Sequence, residues 1–203
     1  MPKSNAEIVS IGLRAKTARA VAVVLAGPLD SPRVVSREEI VLSDPAMPAT
    51  SQPYHEVMEL PWERATVAVR KSARRIEAIA SRALARLIGD AQGKGYEVRA
   101  IGIVGAGNRN LGKIGSTHIR AHAAEGVLFR EVLEVAAVAN KVHSKTFDQR
   151  SIDETAALEL QIPNERLKAR LGEMGRAVGS PWRADEKAAA VAAWLALASH
   201  RRK

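Results

Sequence analysis

Residues 97–126 read EVRAIGIVGAGNRNLGKIGSTHIRAHAAEG. An apolar, β-branched run from Val98 to Val104 stops at a turn holding Gly105, Gly107, Gly112 and Gly115, and a helix begins near Ser116. A run of this length ending in glycine reads as a buried strand. Ser116 or Thr117 can cap the helix, because a hydroxyl accepts from an otherwise unpaired first-turn amide. Strand, Gly-rich turn and helix together place a binding site at the carboxyl edge of an α/β sheet. Asn108, Arg109, Asn110 and Lys113 make that turn polar and cationic.

Two nucleotide-binding motifs fail on this stretch. GNRNLGKI (107–114) has the spacing of a P-loop, but Ile114 stands where Ser or Thr would hold Mg²⁺. GAGNRN (105–110) is a dinucleotide fingerprint with Asn in place of the last glycine. The simpler expectation is a turn with positive φ angles, which Gly and Asn both tolerate.

The 203 residues suffice for one α/β domain, expected to span 1–203. No apolar stretch is long enough to cross a membrane, and MPKSNAEIVS lacks the apolar core of a signal peptide. The absence of cysteine removes disulfides, thiolate metal sites and thiol nucleophiles, so a cytoplasmic location is the expectation. A formal net charge of +9 points to a polyanionic partner, with nucleic acid first. Two Tyr and two Phe are too few for single-strand binding by base stacking, so structured or duplex nucleic acid is favoured.

Working outward, EIVSIGL (7–13) and RAVAVVLAG (19–27) read as strands joined by a basic turn, RAKTA, and RVVSREEIVLSD (33–44) as a third strand with one wet face. Residues 45–61 carry four prolines and are expected to be a flexible loop. A single helix is predicted from Trp62 to about Gln92, with Val69, Ala73, Ile76, Ala80, Ala83 and Leu87 as its apolar stripe. After the central strand and the helix from Ser116 to Val138 come a short strand (141–147) and helices over 152–160, 164–174 and 184–199. The order predicts a five-stranded mixed sheet, an antiparallel meander followed by parallel strands, with helices on its faces.

That order is the one seen in ribonuclease H-like domains. SIGLRAKTARAVAVV, IRAHAAEGVLFREVLEVAAV, TFDQRSI and RADEKAAAVAAWLAL resemble, in pattern and order, the first hairpin, the helix after the fourth strand, the fifth strand and the last helix of RuvC-type Holliday-junction resolvases or the related RuvX/YqgF group. The resemblance implies hydrolysis of phosphodiesters by two Mg²⁺ ions about 4 Å apart, held by converging carboxylates. It implies an Asp on the first strand, a Glu at the end of the fourth, and one or two Asp on the last helix. Here the first position falls on Leu13, between Gly12 and Arg14, and the second near Gly105–Gly107. Only Asp185 and Glu186 remain, as catalytic relics, and acids in a first helical turn also favour the helix dipole.

His118 and His122 stand one turn apart with Glu125 on the same face, but no third His or Cys ligand is evident for zinc, so the pair is expected to join Arg120 on a cationic face. No G-x-S-x-G elbow supports a serine hydrolase. The reading is a nucleic-acid-binding ribonuclease H-like domain with degenerate catalysis, needing no metal. Arg14, Lys16, Asn108, Arg109, Lys113, Lys145 and Arg150 are its candidate phosphate contacts. The alternatives are an active Mg²⁺-dependent endonuclease using Asp185, Glu186 and misplaced acids such as Glu7 or Glu125, and a protein-interaction scaffold.

Overall fold

Continuous burial along three of the strands reflects a sheet covered on both faces. In this computed structural model, which describes residues 6–201, β1 (Glu7–Lys16), β2 (Arg19–Ala26) and β3 (Arg33–Val41) pair antiparallel. β4 (Tyr96–Gly105) joins β1 in parallel, and β5 (His143–Asp148) joins β4 in parallel. The order across the sheet is β3-β2-β1-β4-β5, the ribonuclease H-like arrangement. Successive side chains of a strand face opposite sides. Val9, Ile11, Leu13, Ile101 and Ile103 therefore pack on one side, under α2 (Arg70–Gly93) and α3 (Thr117–Ala139). Val21, Val23, Leu25 and Val104 pack on the other, under α4 (Ile152–Leu160), α5 (Asn164–Val178) and α6 (Ala184–Arg201).

The Ala-rich sequence of α6 has high helix propensity and few bulky groups, so the helix can lie directly on strand backbone. Ser10, Gly12 and Arg14 of β1 face it: the Ser10 hydroxyl donates to Ala193 O at 2.6 Å. A Cβ on Gly12 would fall 1.8 Å from Ala189 O, and one on Gly102 of β4 would fall 2.0 Å from Ala192 O. No side chain fits at either position. The Trp194 indole donates to Leu29 O at 2.8 Å and fixes the helix about its axis.

Two expectations are corrected. The basic turn RAKTA is shorter than expected: Lys16 pairs with Arg19, so Arg14 and Lys16 belong to β1 and only Thr17 and Ala18 turn. The helix after the Pro-rich loop is two helices, α1 (Trp62–Ala68) and α2, separated at Val69, a buried β-branched residue whose ψ is −10°. The Pro-rich loop itself is tied down at several points. The buried Thr50 hydroxyl accepts from Asp44 N at 2.7 Å and donates to Met47 O. The Ala46 N–H and then the Arg75 guanidinium hold the Asp44 carboxyl below its ordinary range. Tyr54 stacks on Trp62 with ring centroids 5.5 Å apart, and burial pushes its phenol up.

Gly12→Ala or Gly102→Ala is expected to lower stability by about 3 kcal/mol through overpacking. Gly89→Ala, on the exposed side of α2 with open space around it, should raise stability by up to about 1 kcal/mol. Urea unfolding followed by circular dichroism separates them, and similar effects from all three would refute the close approach of α6.

Candidate nucleic-acid interface

The carboxyl ends of β1 and β4 and the first turn of α6 meet at one edge of the sheet. Asp185 occupies the second position of α6, where three cations surround it. Arg14 Nε and Lys16 Nζ approach its Oδ1 at 3.4 and 3.6 Å, and Arg19 Nη2 approaches Oδ2 at 3.6 Å. The Arg14 side chain is 13% exposed and that of Asp185 25%, so water screens this cluster only in part. Glu186 points elsewhere. Its carboxylate accepts from the Arg183 N–H at 2.8 Å, half of a capping box closing the first turn of α6.

The register changes the assignment of the first-strand position. Leu13 is fully buried on the α2/α3 side of the sheet, away from Asp185. The β1 residue that faces Asp185 is Arg14. At the end of β4, Gly105 leaves room for Arg130, whose Cβ and Cγ would lie 3.1 Å from a Cβ there. Arg130, buried on α3, donates to Ala106 O and to Asn108 Oδ1 at 3.1 and 2.8 Å and so fixes the turn. A Cβ on Gly107 would lie 2.2 Å from Asp148 Oδ2. Gly105 and Gly107 are thus closely approached by Arg130 and Asp148, whereas Gly112 has only ordinary contacts and Gly115 has open space around it. None of Gly105, Gly107, Gly112 and Gly115 has a positive φ, contrary to the sequence expectation.

These residues do not fit a pair of Mg²⁺ ions. Hard cations need several carboxylates converging on one point. Asp185 is met by guanidinium and ammonium groups instead. Glu7 pairs with Arg33 at the opposite end of β1, and Glu125 is buried beneath His55. Among the described residues, no group of three acids is placed to share an ion.

What the edge does offer is a basic surface. A cleft of about 450 Å³ lies between β1, α4, α5 and α6, lined by Arg14, Gln149, Arg150, Asp153, Lys168, Asp185 and Lys187. A second, of about 380 Å³, meets it at Arg14 and Gln149 and adds Lys16, Arg109 and His122. The sequence candidates therefore divide. Arg14, Lys16, Arg109 and Arg150 come together here. Asn108 is engaged by Arg130. Lys113 lies in a short 3-10 turn (Leu111–Lys113), outside the lining of both clefts. Lys145 is drawn away to Glu159, 2.8 Å distant on α4. Sequence reading missed Lys168 and Lys187, which sit among many exposed charges on helices and carry no local signal.

It also missed a third histidine. His55, from the Pro-rich loop, packs against His118 and His122 with ring centroids 5.2 and 4.3 Å away. Its Nδ1 lies 2.8 Å from Glu125 Oε1. Arg120 does not share this face, since it donates to Ile114 O and lies over Trp62.

With this geometry in hand, the chain can be set beside known proteins. No protein-family model matches it, and no curated protein sequence matches it significantly. Among solved structures it is similar to Thermus thermophilus RuvC, with a TM-score of 0.55 at 13% identity over 96% of each chain. The chain has the fold of RuvC. A second RuvC structure from the same organism, in complex with a Holliday junction substrate, is matched at a TM-score of 0.53 and 12% identity, again over 96% of each chain.

Breaking the Asp185 cluster gives the next prediction. Asp185→Ala strands a largely buried Arg14 beside Lys16 and Arg19, and should cost about 2 kcal/mol. Arg14→Met in the same chain should restore much of it. A double-mutant cycle by urea unfolding measures the coupling, and additive single effects would mean that the ion cluster is not a unit.

Proposed function

We propose that this chain, acting as a single cytoplasmic domain, binds structured or duplex nucleic acid through the paired clefts without cutting it by the two-metal route. The observation that carries this reading is the exchange of a carboxylate for Arg14 opposite Asp185, within a lining of Lys16, Arg109, Arg150, Lys168 and Lys187. A site built for Mg²⁺ concentrates negative charge. This one concentrates positive charge, which suits the oxygens of a phosphate backbone. Such contacts position a duplex and carry little sequence information, so binding should be salt-sensitive and weakly sequence-specific.

The endonuclease alternative lacks convergent acids. The scaffold alternative would call for a contiguous apolar patch. The exposed large apolar residues are instead distributed over β3 (Val41), the loop (Leu60), α1 (Val67), α3 (Ile119, Val135, Val138) and α4 (Leu158). In addition, no described helix is long and apolar enough to cross a membrane.

Arg150→Ala, Lys168→Ala and Lys187→Ala combined should weaken binding to duplex, four-way junction and RNA–DNA hybrid alike. The slope of log K against log salt should fall by about one unit for each phosphate that no longer meets a cation. Arg70→Ala, Lys71→Ala and Arg74→Ala combined, on exposed positions of α2 across the sheet, remove equal charge and should have a smaller effect. Fluorescence anisotropy at several salt concentrations makes the comparison. Equal weakening by the two triples would reduce the effect to net charge, and no binding at low salt would end the proposal.

A further inference from the structure

The three histidines and Glu125 form a constellation that nucleic-acid binding does not explain. His118 and His122 are one turn apart on the exposed side of α3, with their Nε2 atoms 3.1 Å apart. His55 reaches them from the Pro-rich loop. One ring nitrogen from each of the three lies within 4.8 Å of the others. Glu125 is fully buried, and its Oε1 accepts from the His55 backbone N–H at 3.2 Å and faces His55 Nδ1. With Nδ1 so engaged, His55 Nε2 is turned away from the carboxylate, and it is buried without a hydrogen-bond partner.

We infer that His55, His118 and His122 bind one divalent transition-metal ion of the Zn²⁺ class, with Glu125 orienting His55 from behind. Three features support it. Imidazole nitrogens select Zn²⁺, Co²⁺, Ni²⁺ or Cu²⁺ over Mg²⁺. Tetrahedral ligands at 2.0–2.1 Å from zinc lie about 3.3 Å from one another, close to the 3.1 Å between the two α3 nitrogens. A carboxylate holding the far nitrogen of a ligating His fixes its tautomer and makes it a better donor.

The orphaned nitrogen points the same way. His55 Nε2 is buried without a partner, and a metal there would satisfy it. A hydrogen bond between His118 and His122 alone would leave it unpaired.

Such an ion joins the Pro-rich loop to α3 and keeps a coordination position open to solvent, since His118 and His122 are exposed. His122 also lines the cleft that holds Lys16 and Arg109. The inference does not depend on nucleic-acid binding.

The test uses full-length protein without a polyhistidine tag, stripped with chelator and titrated with Co²⁺, then displaced by Zn²⁺. One equivalent should give the visible d–d bands of a tetrahedral cobalt site, and Zn²⁺ but not Mg²⁺ should raise the melting temperature. His55→Ala, His118→Ala and His122→Ala should each abolish the bands while retaining the far-UV spectrum of the wild type. Glu125→Gln, which keeps the shape of the buried side chain, should weaken affinity about 10- to 100-fold. His143→Ala, an exposed histidine on β5, should change nothing. Absent bands, or bands that survive His55→Ala, would overturn the proposal, the latter because an exposed i, i+4 pair would then suffice.

Discussion

The approach of α6 to bare backbone at Gly12 and Gly102 is the constraint on which the rest depends. A helix resting on side chains would stand farther from the sheet. Here two glycines on neighbouring parallel strands let an Ala-rich helix touch the strands themselves, and the Ser10 hydroxyl pins its middle. Because the contact is so close, the first turn of α6 is delivered to the carboxyl end of β1. Asp185 thereby comes within reach of Arg14, Lys16 and Arg19. The site is a consequence of packing.

At that edge the fold and the chemistry part company. The fold is shared with RuvC, including a structure of that protein with a Holliday junction substrate, yet likeness of fold does not carry activity. On β1 the side chain facing α6 is a guanidinium. At the end of β4 a glycine makes room for Arg130. Both features place positive charge at the carboxyl edge of the sheet. In our account the cations lining the clefts do in part what ions would do, meeting phosphate oxygens directly, but they cannot activate water.

Much of the fold was legible because its signals are local. Short β-branched runs bounded by glycine and proline marked the strands, Ser116 capped α3 as expected through Ile119 N, and the alanines of 188–198 marked α6. The sidedness of β1 was not legible. A shift of one residue exchanges the two faces of a strand, and nothing local reveals that Leu13 faces α2 and α3 while Arg14 faces Asp185. Nor did the sequence disclose that Gly105 and Gly107 serve close approach, since the atoms they admit come from α3 and β5. The third histidine was hidden for a similar reason. His55 lies in a proline-rich segment that reads as loose, and only the burial of Tyr54, Thr50 and Glu125 brings it to α3.

The central claim is that Arg14 and its neighbours have replaced metal-dependent cleavage with binding. The most direct measurement is a cleavage assay under binding saturation: an end-labelled four-way junction fully bound by the protein, incubated with Mg²⁺ or Mn²⁺ and resolved on a denaturing gel. The account predicts intact strands with both the wild type and Asp185→Ala. Cleavage products from the wild type that vanish with Asp185→Ala would contradict it.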